Sequence, residues 1–266
     1  METEKKYKLT DEFVIFNENK LYRIEALKDF SNVKKGDKGG FIESEENLSQ
    51  NSNCWVYDNA KVFQGAKVYD NARVSNNAHV FNNAKVFENA VVYGHAKVYD
   101  DAKIHGFASA YDGAMIFCGA DIYGGAEIYE GAMVSHNAEV YGNAVVGGGA
   151  IIIHCAKVYG DAAVYGNALV SSKAEVYGEV TIDGEAKIYN GAKVSSISDY
   201  IVFKNWWSSG RYFTWTRSNN MWVAGCFYGT GEELIAKAYN DSELSGREYE
   251  KAVKYVESIL KDSSNQ

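Results

Sequence analysis

Val56-Tyr57-Asp58-Asn59-Ala60-Lys61-Val62-Phe63-Gln64-Gly65-Ala66-Lys67-Val68-Tyr69-Asp70-Asn71-Ala72-Arg73-Val74 decides the fold. Valine recurs every sixth residue, alanine follows four residues behind, and a turn pair such as Asp58-Asn59 or Gln64-Gly65 separates them. The same register runs to Val194 without a slip. Of its 24 sites, 23 hold Val or Ile, Ala110 being the exception. The alanine column from Ala60 to Ala192 has 23 sites and one exception, Val180. A fixed short period means a solenoid, and a period of six means a parallel β-helix. One hexad supplies one short strand and one turn, and three hexads close a triangular coil. The 24 hexads of residues 51–196 therefore make eight coils, a prism roughly 38 Å long at about 4.8 Å per stacked strand. Val and Ile fill the prism. Ala sits where a corner leaves no room for more, and Gly, Asn and Asp tolerate the left-handed backbone a tight corner needs.

The two ends leave the register. In residues 1–50, Phe13–Phe16 and Leu21–Ile24 flank Asn17-Glu18-Asn19-Lys20 and predict a hairpin. This segment reads as an N-terminal β cap, because an open solenoid end exposes strand edges and core. In residues 197–266, Tyr200–Phe203, Arg211–Trp215 and Met221–Ala224 read as strands. Thr230-Gly231-Glu232-Glu233 predicts a capping box for a helix through Tyr239, and Ser245-Gly246-Arg247-Glu248 a second one through Lys261. The expected class is mainly β: a left-handed parallel β-helix of about eight coils with an N-terminal cap and a small C-terminal α+β domain.

Composition narrows function. The chain has 266 residues, no proline, and 35 acidic against 27 basic residues. Its net charge of −8 makes nucleic acid an unlikely ligand and a membrane surface an unexpected one. Its four scattered cysteines fit a reducing cytoplasm. The charged start, Met1-Glu2-Thr3-Glu4-Lys5-Lys6, has no signal-peptide pattern. The longest apolar run, near Ala144–Ile153, is too short for a bilayer, which takes about 20 residues. No Walker loop, dinucleotide fingerprint, HExxH or nucleophile elbow is found, and no cofactor is expected.

Residues 18 apart stack on neighbouring coils, so the outward columns can be read directly. On one face the residues before the inward column are Lys61, His79, Lys97, Met115, Met133, Ile151, Leu169 and Lys187. Four apolar residues in succession, flanked by Phe117 and Ile153, predict a contact strip. Two readings are open: self-association or partner binding through the strip, or burial of the strip under the C-terminal domain. A second column, Asp100, Cys118, His136 and His154, lies on one edge of that face. Acid, thiol and imidazoles at this spacing suggest zinc or nucleophilic chemistry. Against it, adjacent outward side chains point parallel, and turn positions accept any polar residue. Sixteen of the 24 positions after the inward column are Tyr or Phe, occur on all three faces, and so predict structural stacking before glycan binding. Gly147-Gly148-Gly149 reads as a bare patch of prism. In the C-terminal segment, Trp206, Trp207, Arg211, Trp215, Arg217 and Trp222 form either a recognition surface or a packed core.

The repeat resembles the hexapeptide-repeat proteins, which form left-handed β-helices. The tyrosine-rich hexads, as in Asn143–Val146 and Gly166–Val170, the entry Leu27–Phe30 with Gly39–Glu43, and the tail Gly225–Glu233 are similar to a narrower group common in phages and prophages. That resemblance implies a phage-encoded accessory protein in the host cytoplasm, while the apolar strip and the tryptophan-rich end, read from the residues, predict a homodimer or homotrimer that binds a host protein, with anti-defence blockade as one outcome. It also implies an alternative: hexapeptide proteins include acyltransferases with active sites between subunits, a loop interrupting the repeat and a histidine base. Here the register is unbroken, so no such loop leaves the prism. A filament or particle component is the third reading, opposed by the bulky ends.

Overall fold

The structure is a computed structural model that describes residues 4–264. Every hexad forms one two-residue strand, from Trp55–Val56 to Lys193–Val194. Each strand pairs in parallel with the strand 18 residues away, as Met133 does with Ile151 and Val134 with Ile152. The result is a parallel β-solenoid with three sheets, one per face. The inward Val and Ile side chains and the alanines are essentially unexposed. Ala110 is as buried as its neighbours, and Val180 stands 5% exposed in the alanine column. Corner residues adopt positive φ, for example Asn76 at 56° and His154 at 54°. Asparagine ladders run down one corner, Asn53 to Asn71 and Asn71 to Asn89, each at 3.2 Å.

The hairpin is β1 (Tyr7–Phe16) and β2 (Asn19–Ala26), joined at Asn17 and Glu18 with φ of 46° and 67°. Strand β3 (Lys38–Ile42) pairs with β2 and then, in parallel, with Lys61–Val62. The cap thereby continues the first sheet and begins a ninth coil. The Phe41 amide donates to the Ala60 carbonyl at 2.9 Å, and Leu48 bridges to Val68. These pairings span 20 residues instead of 18, which hides that coil from the hexad register. The hairpin tip lies over the outside of the first coils: the Phe16 ring meets Phe63 edge-on at 5.8 Å and His79 at 4.7 Å.

At the other end, Tyr200–Lys204, Tyr212–Thr216, Met221–Ala224 and Phe227–Gly229 form an antiparallel sheet. The fourth strand was not expected from the sequence. Helix α1 (Gly231–Asp241) opens on the expected capping box: the Glu233 amide donates to Thr230 Oγ1, and the Thr230 amide to Glu233 Oε2. Helix α2 (Glu243–Ser264) begins before the expected box at Ser245. The Ser242 hydroxyl accepts the Ser245 amide at 3.1 Å, so Ser242 caps the helix and Ser245 lies in its first turn. The domain docks on the end of the rod. The Lys187 amide donates to Thr214 Oγ1 at 3.0 Å, the Lys193 amide to Ser218 Oγ at 2.7 Å, and the Tyr200 hydroxyl to the Thr181 carbonyl at 3.3 Å. Among the described residues, no helix is long and apolar enough to cross a membrane.

Candidate functional site

Met115, Met133, Ile151 and Leu169 stand in one straight line along the rod, each the register partner of the next. All four are half-buried, as outward side chains on a flat sheet are when they shade one another. The C-terminal domain makes its hydrogen bonds to the rod in the last coil and caps the end instead of folding back along the strip. Phe117 and Ile153 border the strip and are also half-buried.

Beside the strip, the outer aromatic ladder changes character. Phe63, Phe81, Tyr99 and Phe117 stack at 4.8–5.1 Å with nearly parallel planes. The next three coils carry Ser135, Ile153 and Ser171 instead. The two serines are buried, at 0% and 2% exposure, under the neighbouring imidazoles. Ser135 Oγ lies 2.8 Å from His136 Nδ1, and Ser171 Oγ lies 3.2 Å from His154 Nδ1. The two imidazole centroids are 4.9 Å apart, and Phe117 meets His136 edge-on at 6.2 Å. Each ring thus has its Nδ1 engaged by a serine, and both residues are exposed. The other expected members do not join them. Asp100 accepts from Asn82 Nδ2 at 2.9 Å, two coils away from His136. Cys118 is half-buried and Cys155 exposed, and both are free thiols. Among the described residues, no three His, Cys, Asp or Glu side chains are placed to hold a metal ion.

The remaining ladders are structural. Tyr69, Phe87, His105, Tyr123, Tyr141, Tyr159 and Tyr177 stack without a break at 4.6–5.2 Å. Their ring faces cover one another, so a sugar or base would find only edges. Several hydroxyls bond a carboxylate in the next coil, as Tyr159 bonds Glu175 at 2.9 Å. Burial in the stack, followed by that carboxylate, pushes the Tyr159 phenol up to about 12. Gly147 is not bare. Tyr129 and Tyr165 lean over it and bond each other, and a Cβ there would meet Tyr129 Cζ at 3.0 Å.

The tryptophan cluster divides. Trp215 and Trp222 are core, packed with Phe213, Leu234, Val253 and Val256, which removes them as contact residues. Trp207 is half-buried against Phe213 and Tyr249, its Nε1 buried without a partner. Arg217 Nε donates to the Ser198 carbonyl at 3.0 Å. Trp206, 70% exposed, and the exposed Arg211 remain on the surface.

Comparison with known proteins agrees with this architecture. Residues 66–82 match the family model described as the YdcK β-solenoid repeat. A stretch of 71 residues is 42% identical to a protein of Escherichia coli (strain K12) described as the uncharacterized acetyltransferase YdcK, covering 23% of this chain and 22% of that protein. The chain thus matches about a fifth of that relative's length. The coil geometry is that of a parallel β-solenoid, and the matched repeat lies within it.

Proposed function

We propose that the protein is a rigid, non-enzymatic docking scaffold that pairs with a second copy through the Met115–Leu169 strip. The observation that carries this reading is four apolar side chains in line on one continuous sheet, bounded by Lys97 and Lys187. A second copy is the partner that fits the strip in spacing as well as chemistry. Two identical rods share the same coil repeat of about 4.8 Å, so the ridges of one meet the grooves of the other along the strip. The four-coil strip, roughly 19 Å by 17 Å, covers about 320 Å², well under the roughly 800 Å² per partner of a standard complex, so the bordering Phe117 and Ile153 must add to the contact. In the phage setting implied by the resemblance, exposed Trp206 and Arg211 at the end domain meet a host macromolecule, and the blockade is steric. A preformed surface of this kind binds with little ordering cost. Met133→Asp with Ile151→Asp is expected to yield a folded monomer. An unchanged mass for the double variant overturns the pairing.

A second reading is favoured by the serine-held histidine pair and by the description of the Escherichia coli relative as an acetyltransferase: an acyltransferase with His136 or His154 as base. Acetyl-coenzyme A binding by the pure protein separates the two, because the scaffold reading predicts none.

A further inference from the structure

The corner that carries His136 and His154 lacks, over its later coils, a device seen nearer the N-terminal end of the rod. In five hexads the amide of the second residue after the inward column is capped by a side-chain oxygen from the coil before. On this same corner Gln64 donates to Glu43 Oε2 at 2.7 Å, and on the other two Asn76 donates to Asp58 Oδ2 at 2.9 Å and Gly106 to Glu88 Oε2 at 2.8 Å. Glu88 and Gly94 donate to Asp70 and Asn76 at 3.3 Å. These amides belong to residues of positive φ, from 52° to 71°. His136, His154 and Ser172 hold the same position with φ of 55°, 54° and 57°. Among the described residues their amides have no such cap, and neither do those of Gly124, Gly142, Gly148, Gly160 and Gly166 on the other corners, so charge is what sets this corner apart. The turn pairs from Cys118-Gly119 through Asn190-Gly191 contain no carboxylate, whereas the other two corners carry Asp112, Glu130 and Glu185, and Asp161 and Glu179, over the same coils.

One lysine stands at the same corner. Lys173 makes no ion pair among the described residues, although Lys157 and Lys193 on the adjoining sheet bond Glu139 at 3.0 Å and Glu175 at 3.2 Å. Those two nearest carboxylates are therefore already engaged. Lys173, Ser172, Asn190 and the two histidines line an open cleft of about 730 Å³. We propose that this corner binds the phosphate group of a small phosphorylated ligand. Its oxygens take the place that Asp58 or Glu88 takes elsewhere, on the His154 and Ser172 amides, with the imidazole Nε2 atoms and the Lys173 ammonium around them. A row of amides about 4.8 Å apart with a lysine beside it offers more donors than the two oxygens of a carboxylate can use. The site does not depend on what docks against the strip.

The test is an amide NMR titration of the full chain with inorganic phosphate at fixed pH and ionic strength. The His136, His154 and Ser172 signals are expected to shift saturably, and to shift as well in the Met133→Asp, Ile151→Asp variant. Lys173→Gln is expected to weaken binding about tenfold. His154→Asp sets a carboxylate over the Ser172 amide as Asp58 sits over Asn76, and is expected to abolish binding while the thermal midpoint holds. Lys157→Gln, on the adjoining sheet, leaves binding intact. No saturation by about 50 mM phosphate, or equal affinity in Lys173→Gln, overturns the site. Acetate binding as tightly as phosphate overturns the choice of ligand.

Discussion

Replacing His79 should remove a specific part of the acid sensitivity of this fold. His79 occupies the strip face under the Phe16 ring, 4.7 Å away, where the hairpin tip crosses the first coils. Burial first, then Lys61, Lys97 and His95, lowers its pKa from 6.5 to about 4. The folded state therefore resists a proton that the unfolded chain accepts. Stability from this group is complete above about pH 6.5 and falls as pH drops toward 4. A fall of this size corresponds to at most about 3 kcal/mol. His79 is only half-buried, and solvent screening reduces the expected share to about 1–2 kcal/mol. Urea unfolding of wild type and His79→Gln at about pH 7.5 and pH 4.5 measures it, since carboxylate titration common to both chains cancels in the double difference. The variant should lose about 1–2 kcal/mol less than wild type on acidification. Equal losses would refute both the packing of the hairpin tip on His79 and the sign of the effect.

Ile152→Ala removes an unexposed inward side chain and should cost about 3 kcal/mol in chemical denaturation. Gly147→Ala pushes a methyl between Tyr129 and Tyr165, at 3.0 Å and 3.2 Å from their rings, and should cost about 1 kcal/mol in the same assay. Thr230→Ala deletes the cap of α1 and should cost about 1 kcal/mol, seen as earlier amide exchange in the C-terminal domain.

Most of the rod is legible in the sequence because its geometry is a lattice. Once Val56 and Val62 fix the register, the neighbours of Ile151 follow by adding or subtracting 18. The ninth coil is illegible for the same reason, since Phe41 and Leu48 pair 20 residues ahead and break the count. The start of α2 was misread because Ser242 and Ser245 are both competent caps, and only the chain reversal after Asp241 selects the first. At the candidate site, the column of His136 and His154 is visible as spacing, but their hold on Ser135 and Ser171 is a rotamer choice that spacing does not encode. Among the described residues the His154 and Ser172 amides lack the side-chain caps that Asn76 and Gly106 carry, and such caps depend on rotamers that spacing does not encode. Gly147 misleads because absence of a side chain reads as open surface, whereas two tyrosines close over it. Trp215 and Trp222 differ from Trp206 in nothing local. Sheet pairing and the packing of the two helices decide which rings are covered.

Sedimentation equilibrium of the wild-type chain over a range of concentrations probes the docking strip most directly. An associating species at twice 29.4 kDa, reduced to 29.4 kDa by Met133→Asp with Ile151→Asp, is the predicted result. A wild-type protein that stays at 29.4 kDa at every concentration contradicts the pairing of rods.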